Sequence, residues 1–115
     1  MPFSRPLRQS AVSTLDAGGG ATLASARVGD HETWVIEGYS WIDEDSSVTT
    51  ADIQIDPGSG YPPLRRDTGI TANSVVWDDL RVSLYAGERL QLVISGGTAA
   101  DTVRFLCWGQ VYRYA

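Results

Sequence analysis

Hydrophobic and polar side chains alternate with the two-residue period of a β-strand directly after a corner at Gly87. Leu90, Leu92 and Ile94 alternate there with Arg89, Gln91 and Val93. Such alternation directs one row of side chains to a core and the other row outward. This segment is the clearest strand signal in the sequence, and an apolar pattern predicts a further strong strand over residues 102–112.

Other strands are predicted where branched and aromatic residues stand between turn-forming glycines, prolines and aspartates. The segment from Asp56 to Gly69 contains three prolines and three glycines and is predicted to be a long irregular loop. No segment shows a sustained helical repeat. Seven or eight short strands predict an all-β fold, an antiparallel β-sandwich of jelly-roll type. The remaining predicted strands cover residues 21–28, 33–42, 48–55, 74–77 and 80–84.

The first twenty residues differ in composition from the rest. Residues 1–10 include two prolines, two arginines and one phenylalanine, and three glycines follow at positions 18–20. Proline disfavours a helix and a central strand alike. We therefore expect an extended N-terminal arm and glycine-rich linker over residues 1–20, with the β-sandwich domain over residues 21–115.

Aromatic residues are concentrated in the segment Thr33 to Ile42, where both faces of the predicted strand carry large apolar groups. This composition predicts a central strand covered on both sides. Trp34 and Trp41 lie seven residues apart and are expected on opposite faces of that strand. Trp108 is predicted to be a core residue, whereas Trp77 and Tyr61 stand near loops and are predicted to be exposed.

Composition narrows the classes of function. The chain has 115 residues and a net charge of -5, and its nine basic residues are all arginine. An acidic chain without a basic stripe is a poor nucleic-acid binder, so no nucleic-acid partner is predicted. No apolar run has the length of a membrane span or signal peptide, so we expect a soluble protein with no membrane partner. The single cysteine, Cys107, cannot form an intrachain disulfide and is expected to be a buried thiol.

Two acidic segments are possible cation sites. His31, the only histidine, stands between Asp30 and Glu32, and neighbouring residues on a turn point in different directions, so an ordinary turn is the favoured interpretation. The run Asp43 to Asp45 offers hard oxygen ligands at alternate positions, which suit calcium. Because it lacks the glycine and distal glutamate of an EF-hand loop, a solvated acidic turn is favoured over a calcium site.

No enzyme activity and no cofactor are predicted. A lone histidine leaves nucleophilic catalysis without its commonest base, and no Gly-x-Ser-x-Gly motif is present. A carboxylate pair for glycoside hydrolysis is defined by its separation, which the sequence does not give. The acids considered for such a pair are Glu32, Glu37, Asp52 and Asp78.

Two stretches resemble small β-sandwich proteins encoded among the head and tail genes of actinobacterial siphophages. The first is the tryptophan strand after a glycine turn, from Val28 to Glu37, and the second runs from Tyr85 to Gly97, with its Ala-Gly-Glu-Arg-Leu corner. The similarity covers roughly residues 21 to 113. It implies a virion structural protein, a capsid decoration or minor capsid protein that stabilises the assembled head, without catalytic residues.

The resemblance also implies where the protein acts and with what. The expected partner is the major capsid protein, the expected location is the outer surface of the capsid, and a homo-oligomer, specifically a trimer, is expected at symmetric positions. Arginine pairs can grip carboxylates on a partner, although a solvated loop is an equally good interpretation of Arg65 and Arg66. The alternative is a tail-fibre or receptor-binding carbohydrate-recognition domain, in which Trp41, Tyr61 and Trp77 converge in one groove. The predicted partner-binding residues are Pro2, Phe3, Arg5, Arg8, Tyr61, Arg65 and Arg66.

Overall fold

A computed structural model describes residues 3–57 and 63–114, and these residues form eight β-strands. Within these ranges the structure contains no helix long and apolar enough to cross a membrane. The strands are β1 (Phe3–Thr14), β2 (Ala21–Ala24), β3 (Glu32–Asp43), β4 (Val48–Asp56), β5 (Arg65–Ile70), β6 (Val76–Tyr85), β7 (Arg89–Ser95) and β8 (Thr102–Arg113).

The strands form two four-stranded antiparallel sheets. Sheet A has the order β1-β8-β3-β6, and sheet B has the order β2-β7-β4-β5. Successive strands therefore lie in different sheets, except β4 and β5, which are neighbours in sheet B, as in a jelly roll of eight strands. The predicted all-β, jelly-roll-like sandwich is confirmed.

The core lies between the inner faces of the two sheets. Leu90, Leu92 and Ile94 of β7 are almost fully buried, as their alternation predicts, and Val103 and Cys107 of β8 face them from sheet A. Burial raises the pKa of the Cys107 thiol to about 12. The thiol is therefore protonated and inert as a nucleophile at neutral pH.

The predicted corner at Gly87 transfers the chain from sheet A to sheet B. Gly87 has a φ of 85°, a left-handed conformation that glycine adopts without strain. The Glu88 backbone N–H donates to the Tyr85 carbonyl (2.9 Å), and the Tyr85 N–H donates to the Glu88 carboxylate (2.7 Å). These bonds close a tight turn between β6 and β7.

The N-terminal segment is extended as predicted, but it is not an arm separate from the sandwich. Residues 3–14 form β1, which pairs with β8 in register from Phe3↔Arg113 to Thr14↔Thr102. Pro6 is tolerated because β1 is an edge strand, where a missing N–H costs no ladder hydrogen bond. The boundary expected after residue 20 does not separate two structural units, since β1 supplies Leu7 to the core.

The tryptophan strand departs from strict alternation. The register of β3 with both neighbours shifts between Ile36 and Gly38, which marks a β-bulge. The extra residue reverses the alternation, so Trp34 and Trp41 both face the core instead of opposite faces. The outer side of β3 is only half-buried at Val35 and Ile42, so the strand is central but covered on one side.

Part of the predicted long loop is ordered as a strand. Residues 65–70 form β5 at the edge of sheet B, and the two short strands predicted over 74–84 are one continuous strand, β6. The predicted contact residues Pro2 and Tyr61 lie outside the described residues.

Candidate functional site

Strongly exposed apolar side chains of the described residues are concentrated on sheet A, although Phe3, four residues before the core residue Leu7, is on the inward-facing side of β1. Among the described residues, all six strongly exposed large hydrophobic side chains lie on strands of sheet A or immediately beside them. Large exposed apolar patches mark interaction surfaces more often than plain solvent-facing surface. The outward-facing side of sheet A, called the sheet A face below, is therefore the candidate functional site. The six side chains are those of Phe3, Val12, Val75, Trp77, Tyr85 and Tyr114.

The first part of the sheet A face is an apolar depression across β1, β8 and β3. It has a volume of about 400 Å³, and Val12, Ile42, Val75 and Leu106 contribute side chains to its lining. Ser10 is paired with Leu106 and Val12 with Arg104, so these residues form adjacent cross-strand pairs on one face. The depression offers apolar area with one guanidinium at its border.

The second part is a wider hollow around Trp108. It has a volume of about 550 Å³ and is lined by Glu37, Asp79, Arg81 and Trp108. The indole ring lies over Gly38, where a Cβ atom would come within 2.6 Å of Trp108 Cε2. The bulge in β3 thus creates the space in which Trp108 lies flat and turns Glu37 outward beside it.

The outer face of sheet B has a different character, because its polar side chains pair with one another. Arg66 binds Asp52 through two hydrogen bonds (2.8 and 2.9 Å), and the Gln91 amide donates to Gln54 (3.1 Å). Arg27 and Arg89 both bind Asp56, and the pKa of Asp56 is lowered, chiefly by the hydrogen bond from Arg89. The charged and amide side chains named here are therefore paired within the chain.

The net charge of the sheet A face differs from the net charge of the whole chain. The chain as a whole has a net charge of -5. Alternation along the strands turns three arginines outward on this face, Arg8, Arg81 and Arg104, and two acids, Glu37 and Asp79. Because Arg104 also pairs with the exposed Glu44 (3.7 Å), the sheet A face is close to neutral on an acidic protein.

The predicted contact residues of the N-terminal segment lie along β1. Arg8 is paired with Trp108 on the sheet A face. Phe3 and Arg5 lie at one end of the strand, where they line a small cavity of about 270 Å³, and Arg5 approaches Glu32 (3.7 Å).

Arg65 and Arg66 lie on β5 of sheet B, apart from the residues of β1. Arg65 binds Asp78 of β6 (3.3 Å) and so links the neighbouring edges of the two sheets. Arg66 is engaged by Asp52. The structure therefore does not gather the predicted contact residues into one site, and their role in binding remains a prediction.

The aromatic groove expected for the carbohydrate alternative does not include Trp41, which is 1% exposed and packed in the core. Its indole N–H donates to Asp67, as does the Tyr39 hydroxyl (both 3.5 Å). Burial, with the nearby charges of Asp67 and Asp78, raises the pKa of Tyr39 to about 12. Trp77 is 67% exposed, as predicted.

The prediction for Trp108 is wrong. The sequence pattern predicts a core residue, but the Trp108 side chain is half-buried and faces outward. The alternation of β8 carried the signal, because Phe105 and Cys107 face the core and the residue after them must face away. Of the acids considered for catalysis, Asp52 lies on sheet B, away from Glu32, Glu37 and Asp78.

Comparisons with known proteins show the fold of this chain. No protein-family model and no curated protein matches it. A solved structure of Bacillus endospore appendages, described as a family of disulfide-linked pili, is 13% identical with a TM-score of 0.59, and the match covers 100% of this chain and 92% of that one.

Two further solved structures are similar at the same level. PirA is 12% identical with a TM-score of 0.54, over 86% of this chain and 93% of that chain. A family 35 carbohydrate-binding module from an environmental isolate is 12% identical with a TM-score of 0.51, over 87% and 74%. A pilus and a carbohydrate-binding module share this fold, so the fold by itself does not show a function.

Proposed function

We propose that this chain is a non-enzymatic virion structural protein, a capsid decoration protein that docks through the sheet A face. One observation carries the proposal: the strongly exposed apolar side chains of the described residues all lie on or beside sheet A. On the outer face of sheet B, charged and amide side chains pair with one another. A molecule with one apolar face and one self-paired face is suited to bind a surface in a single orientation.

The proposed partner is the major capsid protein, at an acidic part of the outer surface of the shell. Arg8, Arg81 and Arg104 offset the acids on and beside the sheet A face, so this face carries no net negative charge to repel an acidic surface, although the chain as a whole is acidic. The resemblance of Val28 to Glu37 and of Tyr85 to Gly97 to siphophage proteins supports this choice. Docking through this face involves Arg8 and does not use Arg65 or Arg66, which lie on sheet B.

Stabilisation of the head would follow from mass action. A protein that binds the expanded shell, and not its unexpanded or dissociated form, stabilises the expanded shell in proportion to its occupancy. Shell positions of local symmetry favour a cyclic oligomer, and a trimer is the form proposed here.

A second candidate function, carbohydrate recognition by a receptor-binding domain, is favoured by the hollow around Trp108. An aromatic ring bordered by Glu37, Asp79 and Arg81 can stack on a sugar ring and hydrogen-bond its hydroxyl groups. The fold is also similar to that of the carbohydrate-binding module. This hollow, and not a groove containing Trp41, is where a sugar would bind.

The docking proposal is tested with Val12→Ser. Val12 is 59% exposed on the sheet A face, so the substitution leaves the core intact but removes apolar area from the contact. Burial of one valine contributes enough that binding to expanded shells lacking this protein should weaken by about tenfold. The mass of the protein alone and with shells is followed by light scattering.

Val93→Ser is the matched control, because Val93 faces outward on sheet B, opposite Asp52. Its binding to shells should stay within about twofold of the unaltered protein. Equal losses in both variants would contradict docking through the sheet A face. A protein that ignores shells but binds a glycan array, with binding lost in Trp108→Ala, would establish the carbohydrate alternative instead.

A further inference from the structure

Three carboxylates meet at one end of the sandwich. Asp43 is the last residue of β3, Asp45 lies in the following turn, and Asp101 immediately precedes β8. One carboxylate oxygen from each lies within 4.8 Å of the other two. The cluster therefore joins two connections that are far apart in the sequence.

Two of these carboxylates are buried and incompletely paired. Asp43 is 2% exposed and Asp101 is 7% exposed. Asp43 Oδ1 accepts hydrogen bonds from the backbone N–H groups of Asp45 (3.0 Å) and Ser46 (3.2 Å). Among the described residues, Oδ2 of Asp43 and Oδ2 of Asp101 have no hydrogen-bond partner. A buried oxygen without a partner is costly and calls for a ligand or a proton.

No arginine of the described residues forms an ion pair with the cluster. The nearby Arg104 pairs with Glu44 (3.7 Å) instead. The arrangement is one in which like charges are brought together without a counter-ion.

We propose that Asp43, Asp45 and Asp101 bind a calcium ion. The donors are all carboxylate oxygens on loops and strand ends, which suits a hard cation and not the nitrogen and sulfur ligation of zinc. Calcium accepts about six to eight oxygen ligands in irregular geometry, whereas magnesium requires a near-ideal octahedron. Asp45 is exposed, so water can complete the coordination on that side.

A bound ion would stabilise several segments that are hydrogen-bonded to the cluster residues at this end of the sandwich. The Leu15 backbone N–H donates to the Asp101 carbonyl (2.9 Å), and the Ala100 N–H donates to the Leu15 carbonyl (3.0 Å). The Asn73 N–H donates to the Asp43 carbonyl (2.8 Å). Calcium at the cluster would thus stabilise the ends of β1, β3 and β8 together. This site is separate from the sheet A face and does not depend on the docking proposal.

The test is titration of calcium chloride into the chelator-treated full chain, followed by calorimetry. We expect one site per chain. Thermal unfolding at a calcium concentration 100 times the measured Kd should occur on the order of 10 °C higher than in chelator. The absence of both heat and a thermal shift at about 10 mM calcium, well above the range of weak extracellular sites, would overturn the proposal.

Asp45→Asn tests the ligand set without disturbing the core, because Asp45 is exposed. Its calcium affinity should fall by at least about tenfold, comparable to the loss of one charged ligand. Glu44→Gln is the matched control, since Glu44 is an exposed acid of the same turn outside the cluster. Equal affinities for Asp45→Asn and the unaltered protein, or a selective loss in Glu44→Gln, would contradict the assignment.

The variant Asp101→Asn distinguishes a bound calcium ion from a proton shared between the buried carboxylates. It removes one of two like charges, so the calcium-free variant should melt above the calcium-free unaltered protein while losing the response to calcium. If the unaltered protein also fails to respond to calcium, the buried carboxylates share a proton and the proposal is overturned. If Asp101→Asn does not fold, the calcium affinity of Asp45→Asn still tests whether the carboxylates bind the ion.

Discussion

Trp108 shows how a single glycine can decide the position of a large side chain. Its indole lies over Gly38, and no side chain larger than hydrogen fits beneath it. Its place in a strand beside Leu106 suggested a core residue, but alternation along β8 turns the side chain away from the core. The residue opposite then decides how much space is open to the ring. That pairing depends on the register between β3 and β8, which local sequence patterns do not specify.

Gly38→Ala should therefore destabilise the protein, although alanine usually stabilises a strand relative to glycine. The added methyl group would displace the Trp108 ring, at a cost of about 1–3 kcal/mol for overpacking. Urea unfolding measures the cost, and a red shift of tryptophan fluorescence reports the displaced ring.

Gly18→Ala serves as the control, because a Cβ atom there meets only Asp16 Oδ1 at an ordinary 3.4 Å. Its free energy of unfolding should change by less than about 0.5 kcal/mol. If Gly38→Ala were as mild as Gly18→Ala, the close contact between residue 38 and Trp108 would be refuted.

At the level of elements, strands with regular alternation were predicted well and irregular strands were not. β7 follows the two-residue period from end to end, and its buried residues are those that the pattern indicates. β8 has the same period in the structure, but the prediction that Trp108 lies in the core did not use it. β3 contains a bulge, which reverses the alternation after Ile36 and invalidates any inference carried across it. β1 contains Pro6, and composition alone does not distinguish a free arm from an edge strand paired within the same chain.

The placement of β1 in sheet A is tested by Leu7→Ala. Leu7 is buried against the core in β1, so its truncation should lower the free energy of unfolding by about 2–5 kcal/mol. Arg5→Ala, two residues earlier on the same strand, removes an exposed side chain and should cost less than about 1 kcal/mol. Chemical denaturation compares the two, and equally small effects would show that this segment does not pack in the sandwich.

At the scale of the whole molecule, the fold class followed from the sequence but the candidate site did not. Strand patterns and turn residues are local, so they sufficed for an all-β sandwich. The sheet A face combines residues from β1, β3, β6 and β8, and only the strand order brings these distant segments together. For the same reason the predicted contact arginines of β1 and of β5 lie on different sheets.

The orientation of the docked protein gives a prediction at this scale. If the sheet A face meets the shell, oxidation of Trp77 and Trp108 by hydroxyl radicals should fall on docking, because contact excludes water from both side chains. Val93 on the outer face of sheet B should be oxidised as before. Mass spectrometry of the oxidised peptides measures the change, and protection of Val93 without protection of the tryptophans would reverse the proposed orientation.

The pairing of side chains on the outer face of sheet B has a further consequence for a capsid shell covered by this protein through the sheet A face. Once the apolar face is covered, the new exterior consists of side chains such as Asp52, Arg66 and Gln91, whose hydrogen bonds are already used within the chain. Such an exterior offers few free hydrogen-bonding groups to a second molecule of this protein. Coating would stop after a single layer, and finished particles would remain dispersed.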